Sequence, residues 1–155
     1  MKHLFFLILT LIVAGGQLSA QGGKIYFTDG KTLNFSEINY IQGKLTEQGT
    51  LVYTASAKDG KMRINYENSV REVPFEKIKL IEISSWKPNC PTCNELYDVN
   101  LNIQTKTGVT IKNTNHLLLE YVVVFINDVL TGEQVSQKVY FGLNGRKNIN
   151  KIEIY

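Results

Sequence analysis

The chain contains few of the residue types that most often carry catalysis. Its 155 residues include two cysteines, two histidines and one tryptophan. It has no G-x-S-x-G turn and no H-E-x-x-H motif, and His116 is the only histidine beyond the N-terminal segment. These absences exclude the common serine-hydrolase and zinc-protease sites. The sequence therefore predicts a non-enzymatic protein with no catalytic residues, no metal ligands and no cofactor.

Neither sign of charge dominates the chain. There are 17 Lys and Arg residues against 14 Asp and Glu residues, which gives a formal net charge of +3. Nucleic-acid binding requires basic residues clustered on one face. Lys138, Arg146, Lys147 and Lys151 form only a loose basic group, which we interpret as the solvated side of a strand. We therefore expect no nucleic-acid partner.

Long apolar runs are absent except at the N-terminus, where the pattern is typical of an export signal. Lys2 and His3 form a short basic start, residues 4–14 are apolar apart from Thr10, and small residues precede Gln21. The run is shorter than the roughly 20 apolar residues that cross a bilayer. We expect residues 1–20 to be a signal peptide cleaved after Ala20. The mature chain, with no transmembrane span, is then secreted or periplasmic.

In the first half, apolar residues alternate with polar ones and are mostly β-branched or aromatic, which favours strands. Asp29-Gly30 is typical of a tight turn, because glycine accepts a positive φ angle. Pro74 has no backbone donor, so we expect a strand either to end there or to lie at a sheet edge, and a turn to lead into the strand around Ile81. Residues 24–83 resemble Sm-like or SH3-like small barrels in these turns and in the closing Val73-Pro74-Phe75. That resemblance implies a module for protein or nucleic-acid contacts, without a matching set of RNA-binding residues.

The second half has the same β character. Its first strand is predicted from apolar residues that alternate with polar ones: Val99, Leu101 and Ile103 against Asn100, Asn102 and Gln104. The apolar run from Leu117 to Ile126 predicts a strand buried on both faces. Residues 97–155 resemble immunoglobulin-like extracellular modules in the runs at 109–113 and 121–126 and in the turn at Asn144-Gly145.

The fold class that these patterns predict is all-β, with two small modules. The first, at residues 21–85, is an SH3-like or Sm-like barrel or a meander. The second, at residues 97–155, is an immunoglobulin-like sandwich or a meander. Residues 86–96 are predicted to be a linker, which holds both cysteines and the only tryptophan.

The linker carries the clearest chemical motif of the chain. Residues 80–93, which end in Cys90-Pro91-Thr92-Cys93, resemble the strand, loop and Cys-Pro-x-Cys of glutaredoxins. The resemblance implies Cys90 as the nucleophile and Cys93 as the resolving thiol. However, residues 94–98 are too few for the helix that lowers a thiol pKa, and no proline follows Pro91 to serve as the cis-proline of that fold.

We therefore predict a local disulfide between Cys90 and Cys93 that clips the linker, with redox catalysis as the alternative. Two cysteines supply only half of a structural zinc site, and His116 is the only histidine that could add a third ligand. Trp86 is the candidate binding residue, because tryptophan brings a large contact area and one donor. Packing of the linker against the first module is the competing interpretation of Trp86.

Residues 77–83 and 148–154 have similar sequences, which are Lys-Ile-Lys-Leu-Ile-Glu-Ile and Asn-Ile-Asn-Lys-Ile-Glu-Ile. Internal duplication is one explanation. The other, which the sequence favours, is that edge strands with a charged face look alike. For the whole chain we expect an exported binding or structural protein whose partner is a protein or a cell-envelope component. The alternatives are a thiol-disulfide protein and a secreted inhibitor or adhesion module.

Overall fold

A computed structural model describes residues 22–47, 50–54, 61–67, 69–88, 97–112, 117–143 and 146–155. These residues form fourteen β-strands and one short 3-10 turn. The prediction of an all-β fold is therefore confirmed. The predicted signal peptide, the cysteine pair and His116 lie outside the described residues.

The strands are β1 (Gly23–Phe27), β2 (Thr32–Phe35), β3 (Glu37–Glu47), β4 (Thr50–Thr54), β5 (Lys61–Tyr66), β6 (Ser69–Pro74), β7 (Ile78–Pro88), β8 (Tyr97–Thr105), β9 (Thr110–Lys112), β10 (Leu117–Asn127), β11 (Gln134–Tyr140), β12 (Gly142–Leu143), β13 (Arg146–Lys147) and β14 (Ile149–Ile154). β6 ends at Pro74, and the 3-10 turn Phe75–Lys77 leads into β7. The predicted strand end at this proline and the turn after it are thus confirmed.

Ten of these strands form one antiparallel sheet, which curls into a half-barrel. The strand order is β2-β1-β14-β7-β8-β10-β3-β4, with β9 added to β8 and β11 added to β10. β5 and β6 form a separate two-stranded sheet, as do β12 and β13. Strands from the two halves of the sequence are direct neighbours, because β1 pairs with β14 and β3 pairs with β10.

The sheet continues across the predicted boundary between the modules. Residues 86–88, assigned to the linker from sequence, belong to β7 and pair with β8. The hairpin that these two strands form has Pro88 and Tyr97 as its last described pair. That residues 21–85 and 97–155 fold as two independent units stays a prediction. The β1–β14 and β3–β10 ladders lead us to expect one cooperative unit instead.

Two tight turns of the sheet have the same geometry. Gly30 and Gly108 have φ angles of 86° and 88°, which glycine adopts without steric cost. The N–H of Gly30 donates to the carbonyl of Phe27 at 3.1 Å, and that of Gly108 donates to the carbonyl of Thr105 at 3.0 Å. The predicted Asp29-Gly30 turn is confirmed. The second turn connects β8 to β9 as the first connects β1 to β2.

The matching turns belong to an internal repeat that spans both halves of the chain. Ile25 of β1 pairs with Ile152 of β14, just as Ile103 of β8 pairs with Ile81 of β7. β14 and β7 pair with each other at these same two residues, Ile152 and Ile81. A pseudo-twofold axis therefore passes through this pair and exchanges β1 with β8 and β2 with β9. The strands that follow, β3 and β10, also pair with each other.

The similar sequences at 77–83 and 148–154 occupy equivalent places in this repeat. Neither is an edge strand, because β7 lies between β14 and β8 and β14 lies between β1 and β7. The explanation by a shared edge-strand pattern is therefore wrong. The matched register of the two segments supports internal duplication.

The hydrophobic core is one cluster that draws residues from both halves. Val99, Leu101 and Ile103 are at most 1% exposed, which confirms the predicted alternation in β8. Val122 and Val124 of β10 face this core, and Val123 between them is also buried. The prediction of a strand buried on both faces is thus confirmed for the centre of β10. This centre lies between β3 and β11, and the first residues of β10 also pair with β8.

Candidate binding site

Of the predicted site residues, only Trp86 lies within the described part of the chain. It is half-buried in β7, opposite Val99, and packs against the core. A register shift between Ile83 and Ser85 precedes it. This position agrees with the packing interpretation of Trp86, while its binding role stays a prediction. The Cys90–Cys93 disulfide also stays a prediction, since both cysteines are outside the described residues.

A group of aromatic side chains from β3, β10 and β11 is linked by ring contacts, and its member on β3, Tyr40, also packs against the core. We call it the tyrosine face, and its members are Tyr40, Tyr121, Lys138 and Tyr140. Tyr121 on β10 pairs directly with Tyr140 on β11. Cross-strand neighbours of this kind have their Cβ atoms about 5 Å apart, close enough for the rings to touch.

Val123 shows why the tyrosine face is distinct from the core. It is only 5% exposed, yet it is not part of the core cluster that includes Val122 and Val124. Successive side chains on a strand point to opposite sides of a sheet, so Val123 lies on the outer side. There it sits in one row with Tyr40 and Lys138. The tyrosine face therefore has an apolar base of its own.

The rings of the tyrosine face form a continuous edge-to-face series. The centroids of Tyr40 and Tyr121 are 6.2 Å apart with planes at 66°, and those of Tyr121 and Tyr140 are 5.7 Å apart at 69°. The Nζ atom of Lys138 lies 4.1 Å from the centroid of Tyr121 and 5.9 Å from that of Tyr140. Such an ammonium is attracted by the negative face of the ring. Among the described residues, no carboxylate forms an ion pair with Lys138.

The surroundings of Tyr121 disfavour ionisation of its hydroxyl. Desolvation by partial burial raises the pKa of Tyr121 above its ordinary value of 10.0, and a hydrogen bond with Tyr40 adds to the effect. The ammonium of Lys138 acts in the opposite direction on the same pKa. The tyrosine face thus offers ring surfaces, hydroxyl groups and one ammonium at neutral pH. These groups are suited to non-covalent contacts.

A second tyrosine with a lysine over its ring lies across β1 and β14. We call Tyr26, Lys151 and Glu153 the Tyr26 cluster. The hydroxyl of Tyr26 donates to Oε2 of Glu153 at 2.7 Å, and Nζ of Lys151 donates to Oε1 at 2.8 Å. The same Nζ lies 4.2 Å from the Tyr26 ring centroid. In this cluster, every charged or polar group is satisfied by another member.

The pKa values of the Tyr26 cluster follow from these bonds. The hydrogen bond from Lys151 is the main cause that holds the pKa of the Glu153 carboxyl below its ordinary value, and the one from Tyr26 contributes next. The same bonds raise the pKa of Lys151 and that of Tyr26. The cluster is therefore a closed ionic network on the surface of the sheet.

A third surface feature is the turn between β10 and β11. Val129 and Leu130 at its tip are 97% and 94% exposed. The turn is well ordered by hydrogen bonds, since Oδ1 of Asp128 accepts the N–H groups of Leu130 and Thr131, both at 2.9 Å. Gly132 then closes it with a φ angle of 72°. The fold thus holds two aliphatic side chains in full contact with water.

From sequence, the tyrosines of the first half, Tyr40 among them, could line a binding face or fill half-buried strand positions, and neither interpretation was preferred. Lys138 was assigned to a solvated strand face. Tyr121 follows Glu120 in an otherwise apolar run, and its side chain tolerates water at one end. Its partners lie on other strands, so no local pattern could have identified them.

Within the described part of the chain, no three His, Cys, Asp or Glu residues are grouped so that they could hold a metal ion. No helix there is long and apolar enough to span a bilayer. No protein-family model, curated protein or solved structure matches the chain. We therefore infer the function from the sequence and the surfaces of this molecule.

Proposed function

We propose that the protein is an exported, non-enzymatic binding protein that contacts its ligand through the tyrosine face. The signal-peptide pattern of residues 1–20, with cleavage after Ala20, supports export to the periplasm or the cell exterior. The ligand is a protein or another component of the cell envelope. The redox alternative would use Cys90 and Cys93, and no contact in the described residues favours it.

The observation that carries this proposal is the run of three half-exposed tyrosines across β3, β10 and β11. Tyr40, Tyr121 and Tyr140 are each half-exposed and are linked by ring contacts. Tyrosine is enriched at the energetic centres of interfaces, because it combines a large rigid area with a polar tip and has few rotamers to lose. A sheet face with no binding role is more commonly covered by isolated polar residues.

The proposal can be tested with the immobilised mature chain and the periplasmic or secreted fraction of its own source. Wild type should recover a defined partner, and Tyr121→Ala with Tyr140→Ala should reduce recovery at least tenfold. Tyr155→Ala is the matched control. Tyr155 is 67% exposed and follows β14, whose described partners are β1 and β7 and not the strands of the tyrosine face. Equal recovery by the double variant and the control would contradict the proposal.

The exposed turn between β10 and β11 favours a second candidate, the inhibitor or adhesion module. Val129 and Leu130 could enter an apolar pocket of a partner protein, because a rigid turn loses little conformational entropy on binding. Val129→Ser with Leu130→Ser should then abolish capture of the partner and leave stability unchanged. Loss of capture in the tyrosine double variant alone would contradict this second candidate.

A further inference from the structure

We infer that the free edge of β11 accepts an extended acidic peptide segment of a partner protein, with an Asp or Glu of that segment placed against Lys138 on the tyrosine face. This inference rests on the proposed binding function and names the class of partner. It depends on three observations: an incomplete ion pair, an unpaired strand edge, and the register of the side chains beside that edge.

The incomplete ion pair is recognised by comparison with the Tyr26 cluster. Lys151 and Lys138 lie at nearly the same distance from a tyrosine ring centroid, 4.2 Å and 4.1 Å. Lys151 is also bonded at 2.8 Å to Glu153, whereas no described carboxylate pairs with Lys138. The described residues thus include one completed and one uncompleted version of the same arrangement. A carboxylate from outside would complete the second.

The edge of β11 provides the backbone groups that would bind such a segment. β11 pairs with β10 along seven residues, Gln134–Tyr140, and with no other strand of the described chain. Its second edge therefore carries a row of N–H and C=O groups with which no described strand pairs. At the end of the strand, Nδ2 of Asn148 donates to the carbonyl of Tyr140 at 2.8 Å, which limits the accessible edge to the residues before it. An added strand bonds to such an edge through its backbone.

The side chains beside this edge set the sequence pattern of the partner. Lys138 and Tyr140 point to the outer side, because Val139 between them is buried in the core. The partner residue opposite Lys138 then lies on the tyrosine face, and opposite charges in that position attract. Its neighbour two residues along lies beside Tyr140, where an apolar side chain fits. The expected segment therefore alternates, with an acidic residue at its centre and an apolar residue two positions away.

A lysine on an edge strand has another established role, which is to prevent edges of like chains from pairing. Such a lysine discourages any added strand whose central side chain cannot neutralise it. The two roles predict different responses to peptide charge. Only the proposed role predicts saturable binding of an acidic strand to the wild-type edge, whereas a purely protective lysine predicts none.

The test uses the mature chain and a capped heptapeptide with threonine at odd positions, valine at the second and sixth, and glutamate at the fourth. Two-dimensional NMR should show saturable amide shifts in β11 and on the tyrosine face. A glutamine-containing peptide should bind about 2- to 5-fold more weakly. Lys138→Gln should lower affinity for the glutamate peptide by the same factor and remove the difference between the peptides. Lys112→Gln, an exposed lysine on edge strand β9, is the matched control and should change nothing.

Two further probes separate strand addition from simpler binding. A heptapeptide with N-methylated backbone amides should lose binding, because it cannot donate to the edge. Acetate alone should not reproduce the shifts. The inference is overturned if the glutamate peptide causes no shifts at millimolar concentration, if both peptides bind equally to wild type, or if acetate gives the same shifts.

The experiments distinguish failure of the edge-binding inference from failure of the proposed binding function. A partner that is lost with the tyrosine double variant, but retained by Lys138→Gln and not displaced by the peptide, would support the binding function and overturn the edge-binding inference. Peptide binding at β11 without any tyrosine-dependent partner would support the edge-binding inference and contradict the binding function.

Discussion

The first and second halves of the chain build the same strand arrangement but carry different surfaces. Ile25 and Ile103 pair with Ile152 and Ile81 in equivalent positions of the sheet, and these four side chains are buried. On the outer side, by contrast, Tyr26 pairs with Lys151, whereas the equivalent pair is Gln104 with Leu80. The buried isoleucines and the glycine turns are thus what the shared fold requires. The charged and aromatic clusters do not follow the repeat, and each of them combines residues of both halves.

Truncation of the two isoleucines on the pseudo-twofold axis should lower the free energy of unfolding more than any other change considered for the repeat. Ile81 and Ile152 are 1% and 0% exposed, and each should cost about 2–5 kcal/mol on replacement by alanine through lost burial and a cavity. Because the two residues have equivalent ladder partners, both costs should fall in this range. Urea unfolding of Ile81→Ala and Ile152→Ala measures this. Val109→Ala, at a 56% exposed position, is the control and should cost less than about 0.5 kcal/mol.

A cost near zero for one isoleucine variant beside a large cost for the other would contradict the equivalence of the halves, because truncation of a buried isoleucine costs at least about 2 kcal/mol.

Substitutions in the two glycine turns should also have matching costs in stability, but smaller ones. Gly30→Ala and Gly108→Ala place a Cβ at positive φ angles, which costs about 1–2 kcal/mol. Neither added Cβ would meet another atom within 4 Å, so the cost should come from the backbone alone. Asparagine tolerates this conformation better, and Gly30→Asn should cost less than Gly30→Ala. Thermal unfolding should give similar losses for the two alanine variants, and a loss at one site only would count against matched turns.

The surface clusters should have the smallest effect, and one that depends on pH. The pKa of Glu153 is lower in the folded protein than its ordinary value of 4.5, so its contribution is fully present above that value. The contribution is lost as the pH falls through the folded-state pKa. Glu153→Gln should therefore destabilise by at most about 1 kcal/mol at pH 7, with the difference from wild type shrinking on acidification. A difference that stays constant between pH 7 and pH 3 would contradict the assigned network.

Local features of the fold were predictable from sequence, because they depend on residues close in the chain. The alternation from Val99 to Ile103, the Asp29-Gly30 turn and the strand end at Pro74 each follow from the backbone preferences of the residues involved. The apolar run of β10 was likewise sufficient to predict a central strand.

The pairing between halves was not predictable in the same way. Nothing in the local pattern of β1 specifies β14 as its neighbour, because any strand with an alternating apolar face could bury the same side chains. The similar sequences of 77–83 and 148–154 were the one available signal. It was assigned to edge strands because periodicity alone does not distinguish a charged edge strand from an inner strand whose outer face is solvated.

The tyrosine face was hidden for a related reason. Tyr40, Tyr121 and Tyr140 come from three strands and meet only through the β3–β10 and β10–β11 ladders. A half-buried tyrosine is common in strands, so each one alone carried no information about a site. Trp86 attracted the prediction because it is unique in the sequence, and uniqueness does not determine exposure.

If the two halves are interwoven in one sheet, they should stay together when the chain is cut between them. A protease site inserted between Asn94 and Glu95 allows cleavage in the mature protein, and both cysteines stay on the N-terminal fragment, so no disulfide can hold the pieces together. The β1–β14 and β3–β10 ladders should keep the cleaved halves associated, and they should elute as one particle from a sizing column until denaturant is added. Two separate folded fragments in native buffer would contradict the claim and restore the two-module organisation.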